Sequence, residues 1–160
     1  MIFDLLTLKD PFNRWRIFPN SEYDESELSK IFTPNGHVSS YNIEEGRYFQ
    51  WNDTWYGEGN YFKVNFENII EYGQKRDVNT IVFEYRANHP FYVTTLTAEE
   101  EVVEEFEATD VFKKGSIRFI ETIEHYGIED AIVFTLHTHE DNRVHEGDYL
   151  IIRKFEFLTV

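Results

Sequence analysis

The chain has 160 residues, 41% apolar and 18% aromatic, with a formal net charge of −15 from 30 acids and 15 bases. That length fits one domain, taken as residues 1–160, with enough buried surface for a core that needs no staples. The lack of cysteine excludes disulfides and thiolate metal sites, and the acidity disfavours direct binding of nucleic acid or anionic lipid while suiting a partner protein with a basic surface.

The first segment, MIFDLLTLKDPF, has neither the basic start nor the long apolar run of a signal peptide. No stretch approaches the roughly 18 apolar residues of a membrane span, so a cytoplasmic protein is expected. Residues 24–32 read as a short acidic helix closed by Pro34-Asn35-Gly36. Residues 65–72 read as a second helix, with Asn65 as N-cap, Phe66, Ile69 and Ile70 on one face, and Gly73 beyond its end. Residues 80–86 alternate as a strand, with Ile81, Phe83 and Tyr85 on one face and Val82, Glu84 and Arg86 on the other. Asn88-His89-Pro90 breaks it, because proline cannot donate to a ladder, and residues 91–96 form the next extended run.

Thr97-Ala98-Glu99-Glu100 fits a capping box, which predicts a helix with Val102, Val103 and Phe106 facing inward. Another helix is predicted over 116–126, its stripe formed by Ile117, Ile120 and Ile123 and its end marked by Gly127. Residues 131–138 and 149–158 read as the two strands of a hairpin joined by a polar loop. Helices and strands mixed without strict alternation make the expected class α+β.

Several groups of residues suggest chemistry. On a helix, Glu100, Glu104 and Glu107 would share a side. They would mimic a row of nucleic-acid phosphates in the basic groove of a partner, as in an acidic, phage-encoded inhibitor, or they would simply be a solvated face. His137-Thr138-His139, with Glu140, Asp141 and His145, places two histidines where one strand face suits a metal. This His-x-His resembles those of metallo-β-lactamases, cupins and Jab1/MPN isopeptidases, but the chain is too short for the first, leaves no room for the second motif of a cupin and lacks the downstream serine and aspartate of Jab1/MPN, so polar residues at a hairpin end are the simpler reading, with no metal site assigned. His37-Val38-Ser39 and His137-Thr138-His139 only partly match the paired motifs of 2H phosphoesterases, since His139 stands where the second hydroxyl residue belongs.

Residues 51–62, WNDTWYGEGNYF, put aromatics beside paired glycines, which suits a flat ligand or a core strand entered through a turn. Gly57-x-Gly59-x-Tyr61-Phe62, the run from Ile81 through Asn88-His89-Pro90 to Val93, and the final segments around Asp148-Tyr149 together resemble the ADP-ribosyltransferase superfamily over residues 46–158. The resemblance implies split sheets clasping NAD as co-substrate and transfer of ADP-ribose to a macromolecular acceptor, a protein. It implies that Tyr61 stacks on the nicotinamide, that the backbone at Gly57 and Gly59 approaches its amide, and that Arg16 contacts NAD. The catalytic acid would be Asp148, Glu146 or Glu101, where a carboxylate stabilises positive charge developing on the ribose. Arg14 and Arg47 are further candidates for the diphosphate.

Overall fold

The computed structural model of the protein describes residues 2–4, 32–34, 37–52, 54–56, 61–65, 79–96, 101–118 and 131–158. All regular structure among them is strand: β1 (Ile2–Asp4), β2 (Phe32–Pro34), β3 (Val38–Ile43), β4 (Gly46–Trp51), β5 (Trp55–Tyr56), β6 (Tyr61–Asn65), β7 (Thr80–Ala87), β8 (Phe91–Leu96), β9 (Glu101–Phe106), β10 (Thr109–Arg118), β11 (Ala131–Leu136), β12 (Arg143–Val144) and β13 (Tyr149–Leu158). One sheet runs β10-β7-β13-β4-β3, with β1 also on β13; the other runs β2-β6-β11-β8-β9; β12 and β5 form a small ribbon. Every pairing is antiparallel.

Period-two burial explains why two sheets form. In β4, Arg47, Phe49 and Trp51 are buried while Tyr48 and Gln50 are partly exposed. In β7, Ile81, Phe83 and Tyr85 are buried while Val82, Glu84 and Arg86 are partly exposed. Each strand therefore contributes one apolar face, and two such faces closing on each other make a sandwich. The seam is a chain of rings. Phe49 of the first sheet stacks on Phe62 of the second with centroids 3.6 Å apart, Phe62 stacks on Phe134, and Phe83 meets Phe134 edge-on at 5.3 Å. Burying such rings contributes about 1.5–3 kcal/mol each.

Two glycines set how closely elements approach. Gly46, after the tight turn that follows β3, has φ +152°, and a Cβ there would lie 2.6 Å from the carbonyl oxygen of Ile152. Gly115 faces inward on β10, where a Cβ would lie 2.5 Å from the Phe106 ring and 2.8 Å from the Phe83 ring.

This architecture corrects the α+β expectation. The acidic segment around 101–107 is strand β9, paired residue by residue with β8, with Val103 opposite Thr94 and Val102 opposite Thr95. Sheet pairing satisfies this backbone and overrides the helix preference of its glutamates. Residues 116–118 continue β10 rather than opening a helix. Residues 131–136 and 149–158 are strands, but not a hairpin: β11 belongs to the second sheet and β13 to the first. Of the helices predicted over 24–32 and 65–72, Phe32 opens strand β2 and Asn65, the expected N-cap, ends strand β6; their remaining residues, and 119–126 of the third, lie outside the described residues. Among the described residues, no helix is long and apolar enough to cross a membrane.

Candidate functional site

The outer face of the first sheet carries a row of tyrosines. Tyr41 on β3 lies directly opposite Tyr48 on β4, and Tyr149 on β13 lies opposite Gln50, one diagonal step from Tyr48. The rings meet in sequence: Tyr41 and Tyr48 are 5.2 Å apart and tilted by 32°, and Tyr48 and Tyr149 are 5.6 Å apart and nearly parallel at 16°. The three rings thus form one continuous aromatic row across β3, β4 and β13. Tyr41, on the edge strand, is 43% exposed and offers a ring face as well. Burial, with help from Tyr41 and Tyr149, pushes the Tyr48 phenol above its ordinary value, against an opposing pull from Arg86, so this hydroxyl stays protonated well into alkaline solution.

Polar groups flank the row. The Tyr41 hydroxyl lies 3.5 Å from Gln50 Oε1, and Asn52 donates to Ser39 Oγ at 2.6 Å. Beyond Tyr149, Arg86 pairs with Glu45 at 3.1 Å and Arg153 pairs with Glu84 at 2.5 Å. Arg153 stands at a register shift in β13, which re-aims its side chain. Its guanidinium lies 4.0 Å from the centre of the Phe112 ring, and that of Arg86 lies 5.6 Å from the same ring. Arg86 Nε is buried without a hydrogen-bond partner among the described residues. The face thus offers hydroxyl, amide, guanidinium and carboxylate groups beside aromatic surface, held on strands except for Glu45 in the β3–β4 turn and Asn52 just beyond β4.

A second cluster lies where the turn after β7 meets the segment between β11 and β13. The rings of His89, His139 and His145 form one stack, with His139 in the middle at 3.7 Å from His89 and 3.9 Å from His145. His139 Nε2 donates to Asp148 Oδ2 at 2.8 Å, and His145 Nε2 donates to Asp141 Oδ2 at 2.8 Å. Asp148 is buried and also accepts the His145 backbone N–H at 2.9 Å. A cavity of about 560 Å³ opens beside the stack, lined by His89, Thr138, His139, Glu140, Asp141 and His145. His137 points elsewhere, packing on Tyr92 at 4.8 Å and pairing with Glu105. Among the described residues no group of three His, Asp or Glu side chains is arranged to hold a metal ion, because stacked rings aim their nitrogens in parallel rather than at one point.

The residues singled out from sequence are dispersed. Tyr61 begins β6 in the second sheet, opposite Thr135. Asp148 is engaged in the histidine stack, Glu146 is exposed in the turn before it, and Glu101 opens β9 on the far edge of the second sheet. Gly57, Gly59, Arg14, Arg16 and Glu100 lie outside the described residues. Arg47 is buried and holds the β3–β4 edge, donating to Ser40 Oγ at 2.6 Å and Asn42 Oδ1 at 2.9 Å. Glu104 is half-buried, whereas Glu105 and Glu107 are exposed. Glu104 lies on strand β9 and Glu107 beyond its end at Phe106, so these two do not share the helix side expected of a phosphate-like row. The tyrosine row went unnoticed in the sequence; its one local signal is the alternation Ser39-x-Tyr41 and Tyr48-x-Gln50.

No protein-family model matches the chain, and no curated protein matches it in sequence. Solved structures do resemble it. A family 29 carbohydrate-binding module variant complexed with mannohexaose gives a TM-score of 0.54 at 10% identity, covering 88% of this chain and 87% of that one. A second variant gives 0.53 at 10% identity over 81% and 84%. A third, complexed with cellulohexaose, gives 0.51 at 10% identity over 77% of each chain. At this identity the likeness establishes the fold. It overturns the ADP-ribosyltransferase resemblance, and the transfer of ADP-ribose and the NAD site inferred from that resemblance lose their basis. The reading as an acidic inhibitor that mimics nucleic acid is likewise unsupported.

Proposed function

We propose that the protein binds carbohydrate on the outer face of its first sheet. The observation that carries this reading is the Tyr41–Tyr48–Tyr149 row, flanked by Gln50, Arg86 and Glu45 on a sandwich shaped like carbohydrate-binding modules. A sugar ring has apolar C–H faces and a rim of hydroxyls. Its faces pack on aromatic carbon, and its hydroxyls exchange hydrogen bonds with phenol, amide and carboxylate groups. Side chains fixed on paired strands are already ordered, so little freedom is lost when a ligand docks.

The charges favour neutral sugars. Arg86 and Arg153 are each engaged by a glutamate, and a formal net charge of −15 repels uronates and sulfated chains. Binding is tested by affinity gel electrophoresis in soluble β-glucan, mannan and xylan. At least one of these retards the wild-type protein, and Tyr149→Ala weakens that retardation about tenfold, equivalent to about 1.4 kcal/mol. Free migration through all three gels contradicts the proposal.

A further inference from the structure

The histidine stack is unevenly supplied with acids. Asp148 faces His139, and Asp141 faces His145. His89 has no carboxylate in hydrogen-bond contact among the described residues, and its Nε2 is buried without a partner. Around it stand His139 and His137, both able to become positive, and Asp148, already engaged by His139. Glu140 lines the cavity beside the stack, and Arg143 accepts the His139 N–H through its backbone carbonyl. Two facing carboxylates therefore serve three rings, and the His89 ring, 3.7 Å from that of His139, is the one left without.

The turn that carries His89 is fastened to the neighbouring segments on both sides of the stack. Asn88 Oδ1 accepts the Tyr149 N–H at 2.8 Å, Asn88 N–H donates to the Tyr149 carbonyl at 3.3 Å, and His137 N–H donates to the Pro90 carbonyl at 3.0 Å. We infer that the His89–His139–His145 stack is an acid-sensitive latch, which holds the 88–90 turn against residues 137–149 while His89 is neutral and releases it when His89 takes up a proton. Burial pushes the His89 imidazole below its ordinary value, with His139 adding to the effect. A released turn therefore binds a proton more readily than a docked one. Docking is complete above the ordinary imidazole value of about 6.5 and weakens as pH falls below it. Imidazoles are the side chains that change charge in this range. Because Tyr149 ends the tyrosine row, release would also weaken ligand binding there. That consequence rests on the carbohydrate reading; the latch does not.

The test is amide hydrogen exchange on the full chain, corrected for the intrinsic effect of pH. Protection of the Tyr149 and His137 amides falls about tenfold between pH 7.5 and 5.5, while amides in the middle of β7 keep theirs. His89→Phe, which keeps a flat ring without a charge, flattens the response. Equal protection at the two pH values, or an undiminished fall in His89→Phe, overturns the latch.

Discussion

At the scale of single residues, space rather than chemistry limits what this sandwich accepts. Gly115 sits where the Phe106 and Phe83 rings leave no room for a methyl group. Both rings belong to the packed aromatic seam, with Phe83 against Phe134 and Phe106 against Phe91, so neither can step aside without disturbing others. Gly115→Ala is therefore expected to destabilise the protein by about 1–3 kcal/mol through overpacking, read from the midpoint of a urea titration; an unchanged midpoint contradicts this packing. Arg47 gives a different lesson about legibility. In sequence an arginine beside aromatics suggests a ligand contact, yet its position on the buried side of β4 turns it toward Ser40 and Asn42. Only the phase of the alternation distinguishes the two roles, and a buried arginine has the same letter as an exposed one.

At the scale of elements, strands with a clean period of two were legible. β7 and β8 run where their alternating residues place them, because burial of one face dictates both period and phase. β9 was not legible. Its glutamates favour helix locally, and Val102, Val103 and Phe106 fit a helical stripe as well as a strand; pairing with β8 decides the matter. The false hairpin has a similar origin. A polar loop between two strands has the same composition whether it folds them together or carries the chain from one sheet to the other. Here the crossing segment is held by β12 on β5 and by the turn at Asn88. Asn88 makes three hydrogen bonds to Tyr149 and Gly147, two through its side chain. Asn88→Ala is expected to cost about 1 kcal/mol in these partly solvated contacts, measured by thermal or denaturant unfolding, and a change of under about 0.3 kcal/mol would show that the crossing is held elsewhere.

At the scale of the whole molecule, the fold gathers what the sequence scatters. Tyr41, Tyr48 and Tyr149 become neighbours only through the register of β3, β4 and β13, so no motif scan along the chain could have found the row. The same closure buries the other face of those strands against the second sheet and leaves the tyrosines as an ordered, outward surface. Net acidity of −15 then filters what approaches that surface, admitting neutral ligands more readily than anionic ones. The proposed sugar contact lies on this face, and not at the histidine-lined cavity or the outer side of the second sheet. The most direct measurement is a titration of isotope-labelled protein with a neutral oligosaccharide drawn from whichever polysaccharide retards it, followed by backbone amide shifts. Shifts concentrated at residues 39–41, 48–50, 86 and 149–153 are predicted; shifts confined to β6, β8, β9 and β11, or none at a saturating concentration, would contradict the account.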